Sequence, residues 1–294
     1  MEPVEIVHFT DAACPWAYSA EPFLTTLRHR YGSGLSWRTV MIGLAESGGD
    51  YVRRGYRPER RAPGNARFGR RFGMPMLHAG RARVQGTGRA CRAFKSAQRQ
   101  GDDLAEAFLR ELRFGYFTTL DYMDEDDGIA NAARRVPGLD VDVVIAGIAD
   151  AAVEAAYQAD RAETRDAANL GPAAIAQGKT ADTDGSERFT APSLVFRRGG
   201  RSLTAGGWQL LPAYDVCVAN LAPDLAPRPT PEPAELLHGF PFGLTTEEVV
   251  CACTGSLEEP DRVGVLETLL GLAFDGTVVR RPLGNDALWV PAAA

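Results

Sequence analysis

The sequence predicts a protein of the α/β class, built from one sheet with a large helical insertion and followed by a small C-terminal module. Three observations support this fold class. A strand, a helix and a second strand follow one another near the N-terminus, which is the order of a βαβ unit. Roughly a hundred residues of mostly helical pattern come next, and a β-hairpin with a closing helix then follows.

The N-terminal unit begins with "VEIVHFT", Val4 to Thr10, a short and largely apolar run that predicts a strand. In "PWAYSAEPFLTTLRHRY" the apolar residues recur at helical spacing, which predicts one helix. After the break at Gly32-Ser33-Gly34, "GLSWRTVMIG" predicts a second strand. The first helix therefore starts directly after the first strand.

The middle of the chain is predicted to be an insertion after the second strand. From about Ala45 to Gly80 glycine, proline and arginine dominate, so we expect a long loop or a loosely ordered lid. Helical patterns resume in "GRACRAFKSAQRQG", "DDLAEAFLRELRFGYF", "EDDGIANAARRV" and "DVDVVIAGIADAAVEAAYQADRAETRDAANLG".

The last third of the chain returns to strand patterns. "RFTAPSLVFRRGGRSLTAGG" predicts a hairpin that turns at Gly199-Gly200, and "WQLLPAYDVCVANL" predicts the closing helix. The proline-rich "APDLAPRPTPEP" marks a linker at about 223–233. Beyond it, two helical patterns and a hairpin turning at Gly284-Asn285-Asp286 follow a winged-helix-like order.

One thiol stands where the first strand ends and the helix begins. Pro15 is well tolerated at a first helical position, which places Cys14 at the helix N-terminus. Free backbone N–H groups and the helix dipole lower the pKa of a thiol there, so we expect an acidic, nucleophilic Cys14. The alternative is a small buried apolar residue. Pro192 stands just before the hairpin strand, a position at which a cis bond can shape a tight turn.

The other four cysteines are weaker candidates. Five cysteines are an odd set for a disulfide framework, and catalysis is the better reason to consider any of them. Cys91 and Cys217 fall on predicted helices and are expected to be packed, although Cys91 would reach the active site if its helix covers it. Cys251 and Cys253 lack a second ligand cluster, so they are a weak zinc signal.

"FTDAACPWAY" resembles the active-site turn of the DsbA family of thioredoxin-fold proteins, especially its cytoplasmic, FrnE-like branch, and "TAPSLVF" resembles that family's cis-proline segment. The resemblance implies that Cys14 is the nucleophile, that Pro15 and Trp16 are the intervening dipeptide, and that Pro192 is the facing cis-proline. The sequence departs from the dithiol pattern at Ala17, which stands where dithiol members have the resolving cysteine.

The resemblance covers Met1 to about Ala222 and implies a domain division. Residues 1–44 and 186–222 would form the thioredoxin-fold domain, and 45–185 the inserted lid loop and DsbA-like helical domain. Residues 223–233 would be the linker and 234–294 the winged-helix-like C-terminal module.

A basic stretch suggests what the substrate carries. Between Tyr51 and Gln100, thirteen arginines and one lysine stand against a single acid, Glu59. This excess predicts attraction of an anionic partner, and we expect Arg53 and Arg54 to bind substrate.

The remaining predicted substrate-binding residues adjoin the two motifs. They are His8, Ala17, Tyr18, Thr190 and Ala191. His8 lies on the strand leading to Cys14 and would tune the thiol, although a packed histidine is an equal alternative.

Three functions are compatible with these residues. The first is monothiol thiol–disulfide chemistry at Cys14, with mycothiol or glutathione as co-substrate in place of a resolving cysteine. The second is cis–trans isomerisation by reversible addition of Cys14 to an activated alkene of a carrier-bound or other anionic substrate. The related 2-hydroxychromene-2-carboxylate isomerases and kappa-class glutathione transferases imply that the wider family supports such chemistry. The third is a non-enzymatic interaction or regulatory role.

Composition limits the expected partners. No apolar run approaches the roughly 20 residues of a membrane span, and the N-terminus lacks secretory features, so we expect a cytoplasmic protein without a membrane partner. From Thr230 onward ten acids stand against three arginines, which argues against nucleic acid. We expect an electrophilic or disulfide substrate that is a small molecule or is bound to a carrier protein. We expect no tightly bound cofactor and no metal, and a homodimer is compatible with the sequence.

Overall fold

The structure is a computed structural model that describes residues 2–166, 170, 174–176, 178–182, 187–255 and 258–292. Its strands are β1 (Val4–Thr10), β2 (Leu35–Met41), β3 (Thr180–Ala181), β4 (Arg188–Phe189), β5 (Ser193–Arg198), β6 (Arg201–Ala205), β7 (Leu244–Thr245), β8 (Val278–Leu283) and β9 (Asp286–Pro291). The boundary predicted between residues 185 and 186 lies outside the described residues.

The α-helices begin and end at bounds close to the sequence patterns, with the exceptions given below. They are α1 (Pro15–Tyr18), α2 (Glu21–Tyr31), α3 (Gly48–Arg53), α4 (Arg61–Phe72), α5 (Gly88–Gln98), α6 (Asp102–Thr118), α7 (Asp126–Ala133), α8 (Val141–Gly147), α9 (Ala151–Glu163), α10 (Leu211–Leu221), α11 (Pro233–His238), α12 (Thr246–Ala252) and α13 (Arg262–Phe274).

The central sheet has the strand order β2-β1-β5-β6. Strand β1 is parallel to β2 and antiparallel to β5, which is antiparallel to β6. Residues alternate between the two faces of β1. Val4 and Ile6 pack in one apolar cluster with residues of α2 and α10, whereas Val7 and Phe9 pack in another that contains Cys14. The mixed α/β thioredoxin fold that the resemblance implied is therefore present.

The predicted first helix is two helices, α1 and α2. Pro22 lies in the first turn of α2 and has no backbone N–H, so it cannot continue the hydrogen bonding of α1. The short α1 is left directly behind Cys14, at the C-terminal end of β1.

The segment from Ala45 to Gly80, predicted to be a long loop or a loosely ordered lid, instead contains the helices α3 and α4. We call the chain from the start of α3 to the end of α4, residues 48–72, the lid. Ser47 and Asp50 form a capping box that starts α3. In α4, Phe68 and Phe72 place their rings 5.1 and 5.6 Å from the ring of Trp16. The prediction was wrong because glycine and proline weaken the helical pattern, while tertiary packing of the aromatic face stabilises the helix.

Helices α5 to α9 form the inserted helical region and build the largest apolar cluster of the described residues, with Phe94, Phe108 and Tyr157 fully buried. The last predicted helix is divided into α8 and α9. The carboxylate of Asp150 accepts hydrogen bonds from the backbone N–H groups of Ala152 and Val153, and so caps a new helix start.

The C-terminal module packs against α2, α6 and the chain that follows the lid. Its strands have the order β7-β9-β8. The fully buried carboxylate of Glu248 lies 2.5 Å from the guanidinium of Arg110 on α6 and accepts a 2.8 Å hydrogen bond from Thr25 on α2. The side chain of Asn285 accepts a 2.8 Å hydrogen bond from the backbone of Met76, shortly after the lid. The module therefore holds the chain that follows α4.

Two features are absent from the described residues. No helix among them combines the length and apolar character needed to cross a membrane. In the same residues, no cluster of three histidine, cysteine, aspartate or glutamate side chains is arranged to hold a metal ion.

Candidate active site

Three parts of the chain meet at Cys14. The residue caps α1 with an extended backbone, its N–H donates to the carbonyl of Asp11 at 3.3 Å, and its carbonyl accepts from Tyr18 at 3.0 Å. Its thiol donates to the carbonyl of Ala191, with 3.3 Å between sulfur and oxygen. The end of β1, the start of α1 and the entry to β5 therefore converge on one sulfur atom.

The segment before β5 forms the opposite wall. The peptide bond between Ala191 and Pro192 is cis, and Thr190 and Ala191 line the same cavity as Cys14. Ser193 donates a 2.6 Å hydrogen bond to the carbonyl of Thr190 and accepts one from the backbone of Gly207 at 2.9 Å. These bonds hold the turn that presents the Ala191 carbonyl to the thiol.

The prediction of an acidic Cys14 is wrong for this arrangement. Burial raises the pKa of the thiol to about 11, because only 6% of the residue is exposed and a thiolate there would lose its hydration. The backbone N–H groups of Ala17 and Trp16 act in the opposite direction, and the charge of Asp11 adds to the rise. Helix α1 has only four residues, so its dipole is small. Cys14 is therefore a protonated thiol at neutral pH.

Ala17 leaves Cys14 without a neighbouring thiol. The alanine is fully buried in the apolar cluster that contains Cys14. All five cysteines are free thiols. Cys14 is the only cysteine among the described residues that line the cavity beside it. The sulfur of Cys91 lies 3.8 Å from a carboxylate oxygen of Asp11 and does not line the cavity, although its helix packs nearby.

A cavity of about 730 Å³ opens beside the thiol. The motif contributes Pro15 and Trp16 to its wall, and the lid and α6 contribute most of the remainder. Many of the lining side chains are aromatic: Trp16, Tyr51, Tyr56, Phe68, Tyr116 and Phe117. Such a wall accepts a flat apolar body.

The cavity is also strongly basic. Its lining includes Arg54, Arg57, Arg60, Arg61, Arg83 and Arg188, and no aspartate or glutamate is among the lining residues that the structure describes. Of these, Arg83 is neutralised by Asp124 and Glu125, at 2.7 and 2.5 Å. Arg54 donates to the carbonyl of Leu44 at 2.6 Å.

The two predicted arginines have different places. Arg54 lines the cavity, as expected of a substrate-binding residue. Arg53 does not; its side chain is 73% exposed and pairs with Asp50. The prediction for Arg53 is corrected because successive helical residues point in directions about 100° apart.

Three further predicted substrate-binding residues are also outside the lining: His8, Ala17 and Tyr18. His8 is buried in β1 between Thr39 and Leu194 of the adjacent strands. Burial, with smaller contributions from two arginines, lowers the pKa of its imidazole, so the ring is neutral. The alternative of a packed histidine therefore fits better. Tyr18 stacks on Phe117 at 4.8 Å, as part of the core.

Several lining residues were not predicted individually. Arg57 belongs to the basic stretch that was recognised as a whole, and Arg188 directly precedes the "FTAPSLVF" segment. Tyr51 and Tyr56 lie in the segment taken for a loop, with ring centroids 4.7 Å apart. The missing signal was the helix α3, which contains Tyr51 and ends three residues before Tyr56.

A curated relative aligns with about half of this chain. The chain is 28% identical over 166 residues to the ClpXP adapter protein SpxH of Shouchella clausii, an alignment covering 54% of this chain and 52% of that protein. This chain thus spans about half the length of that curated relative.

Solved structures share the fold at low sequence identity. A probable DsbA oxidoreductase from Streptomyces coelicolor is 20% identical with a TM-score of 0.56, covering 78% of this chain and 94% of that one. The cytosolic disulfide reductase DsbM from Pseudomonas aeruginosa, solved with GSH, is 15% identical with a TM-score of 0.50, covering 75% and 98%.

The protein-family model described as Thioredoxin matches residues 8–181, more than half of the chain. The match runs from β1 through Cys14 and the helical insertion to β3. Together with the sheet order and the shared fold of the solved structures, it establishes that this chain belongs to the thioredoxin family, with a DsbA-like fold.

Proposed function

We propose that the protein is a thiol-dependent enzyme in which Cys14 is the single nucleophile, and that its reaction is monothiol thiol–disulfide exchange. The observation that carries this proposal is a lone, buried thiol at the wall of a cavity, with alanine three residues later. The fold shared with a DsbA oxidoreductase and a disulfide reductase supports redox chemistry.

The exchange has two steps. The Cys14 thiol first loses its proton to solvent, because burial holds it protonated and only the thiolate attacks. The thiolate then bonds to one sulfur of a disulfide, the sulfur–sulfur bond breaks, and the other half leaves as a thiolate. A small thiol, glutathione or mycothiol, attacks the mixed disulfide, takes the substrate half and returns Cys14 as thiolate.

The same site supports a second candidate, a cis–trans isomerase. The thiolate adds to the β-carbon of an activated alkene, the former double bond becomes single and rotates, and elimination restores the alkene and the thiolate. This cycle has no net oxidation and needs no second thiol. Ala17 and the small basic cavity, which fits an anionic substrate, favour it.

A third candidate is a non-enzymatic interaction or regulatory protein. The curated relative is itself a ClpXP adapter, which supports considering such a role for this chain. It would leave the position of Cys14 between a cis-proline turn and a helix start, beside a cavity, without a purpose.

Mass spectrometry of the purified protein distinguishes the three. After incubation with glutathione disulfide, exchange chemistry predicts a mixed disulfide on Cys14 that added thiol removes. Isomerase chemistry predicts a thioether adduct from a small-molecule extract, seen in protein quenched with acid, which a phosphine that reduces disulfides does not cleave. Cys14→Ser abolishes either adduct, whereas Cys217→Ser, which changes a half-buried cysteine outside the cavity, retains it. Absence of any adduct on Cys14 would favour the non-enzymatic role.

A further inference from the structure

The cavity beside Cys14 contains arginines without acidic partners. Arg54, Arg57 and Arg60 line it, and within the described part of the chain none of them forms a salt bridge. Arg57 donates only to backbone carbonyl groups, at 3.3 and 3.4 Å. Like charges repel, so a group of this kind is stabilised when an anion lies among its members.

Arg61 adds a half-buried charge to this group. Its guanidinium donates to the carbonyl of Tyr116, near the C-terminal end of α6, and lies 5.4 Å from the ring of Phe117. Burial, and then repulsion by Arg81, lowers the pKa of Arg61 to about 10, which still leaves it charged at neutral pH. A carbonyl dipole does not neutralise a partly desolvated cation, so a bound anion would supply the missing charge.

The other wall of the cavity is flat and apolar. The rings of Tyr51 and Tyr56 are in contact, and those of Trp16 and Phe68 meet edge to face. Burial raises the pKa of the Tyr51 hydroxyl, so it keeps its proton, and it makes no hydrogen bond to another described residue. That hydroxyl is a free donor beside the arginines.

The cavity has the dimensions of a small-molecule site. Its volume of about 730 Å³ falls in the usual range for such sites, and a smaller cavity of about 290 Å³ shares Tyr51, Arg54 and Arg188 with it. The lid contributes much of the wall, and Cys14 is only 6% exposed. A disulfide on a folded protein would need the lid to move away, whereas a small molecule needs only to enter.

We propose that the ligand of this cavity is a small anionic molecule with a flat aromatic or conjugated body, and that a protein disulfide is not its substrate. The proposal rests on the proposed function in that Cys14 lies in the same cavity. The arginines bind the anionic group, and the aromatic wall stacks on the flat body.

Calorimetric titration of the Cys14→Ser protein tests the ligand class without any thiol chemistry. The probes are 2-naphthoate and its neutral counterpart 2-naphthamide, which share one aromatic body. We expect the carboxylate to bind more tightly, and added salt to weaken its binding but not that of the amide. The exposed residues Arg57 and Arg60 are then changed to glutamine, singly. Each change should weaken naphthoate binding on the order of tenfold, as for loss of a hydrogen bond to a charged group.

The matched control is Arg53→Gln, which removes an arginine of the same stretch that lies outside the cavity. Its naphthoate affinity should equal that of the parent. Equal binding of carboxylate and amide, an equal loss in the control, or no naphthoate binding at millimolar concentration would each overturn the proposal.

The outcome separates this inference from the proposed function. If Cys14 forms adducts but the cavity does not prefer the carboxylate, the ligand class is wrong and the thiol chemistry stands. If naphthoate binds as expected but Cys14 forms no adduct with any electrophile, the cavity is an anion site and the enzyme proposal fails.

Discussion

Alkylation of Cys14 at a series of pH values tests how burial controls the thiol. With a pKa of about 11, roughly 0.1% of Cys14 is thiolate at pH 8, against about 10% for a thiol at the reference value of 9.0. The more basic thiolate is about tenfold more reactive, which offsets part of this hundredfold deficit. Cys14 should therefore react about tenfold more slowly than an ordinary thiol at pH 8, and the burial of the residue, which is only 6% exposed, slows it further.

The assay is timed iodoacetamide labelling between pH 7 and 9.5, followed by mass spectrometry of the Cys14 peptide. The rate should rise about tenfold for each pH unit without levelling, because the whole range lies below the raised pKa. The same peptide labelled in denatured protein is the control, and its rate should begin to level near pH 9. A plateau below pH 8 in the folded protein would show an acidic thiol and refute the assigned effect of burial.

Three further predictions concern other parts of the molecule. Ala17→Cys should form a disulfide with Cys14, detected as loss of two titratable thiols after mild oxidation; two free thiols would mean that the turn is misplaced. Glu248→Gln should lower the free energy of unfolding in urea by about 3 kcal/mol, because it leaves the largely buried Arg110 charge with only Glu21 at 3.9 Å, a carboxylate that also pairs with Arg113, and the exposed Glu232→Gln is the control. Although burial opposes ionisation, Arg110 holds the pKa of Glu248 below its usual value, so this stabilisation is present above about pH 4.5 and is lost as the pH falls through the lowered pKa; an unchanged acid transition in the variant would contradict this. Leu270→Asp on the exposed apolar face of α13 should convert a homodimer to monomers in sedimentation, and a monomeric parent protein would exclude that interface.

The active-site turn and the fold class were predictable from sequence because their signals are local. An apolar strand followed by Cys14 and Pro15 predicts a helix start at that point, and a proline before a hairpin strand predicts a shaped turn. The hairpin at Gly199-Gly200 was predictable for the same reason, since both glycines adopt positive φ in the structure. These features depend on the conformational preferences of a few adjacent residues.

The lid was not predictable because its helices depend on distant partners. Phe68 and Phe72 of α4 pack on the ring of Trp16, and Phe72 also packs on the ring of Trp208 at 5.1 Å, so both depend on residues far away in the chain. Likewise, the basic composition of residues 51–100 indicated an anion site, but composition does not show which way each arginine side chain points. Only the folded helix separates Arg54, which lines the cavity, from Arg53, which lies in solvent.

The sequence by itself therefore determined the thioredoxin-family framework, the position of Cys14 between strand and helix, and the absence of a thiol at residue 17. The tertiary structure alone decided the protonation of that thiol, because the pKa depends on how far the surrounding apolar cluster and the segment before β5 exclude water from the sulfur. It also decided which arginines share the cavity with the thiol, because that depends on side-chain direction and on packing between residues far apart in the chain.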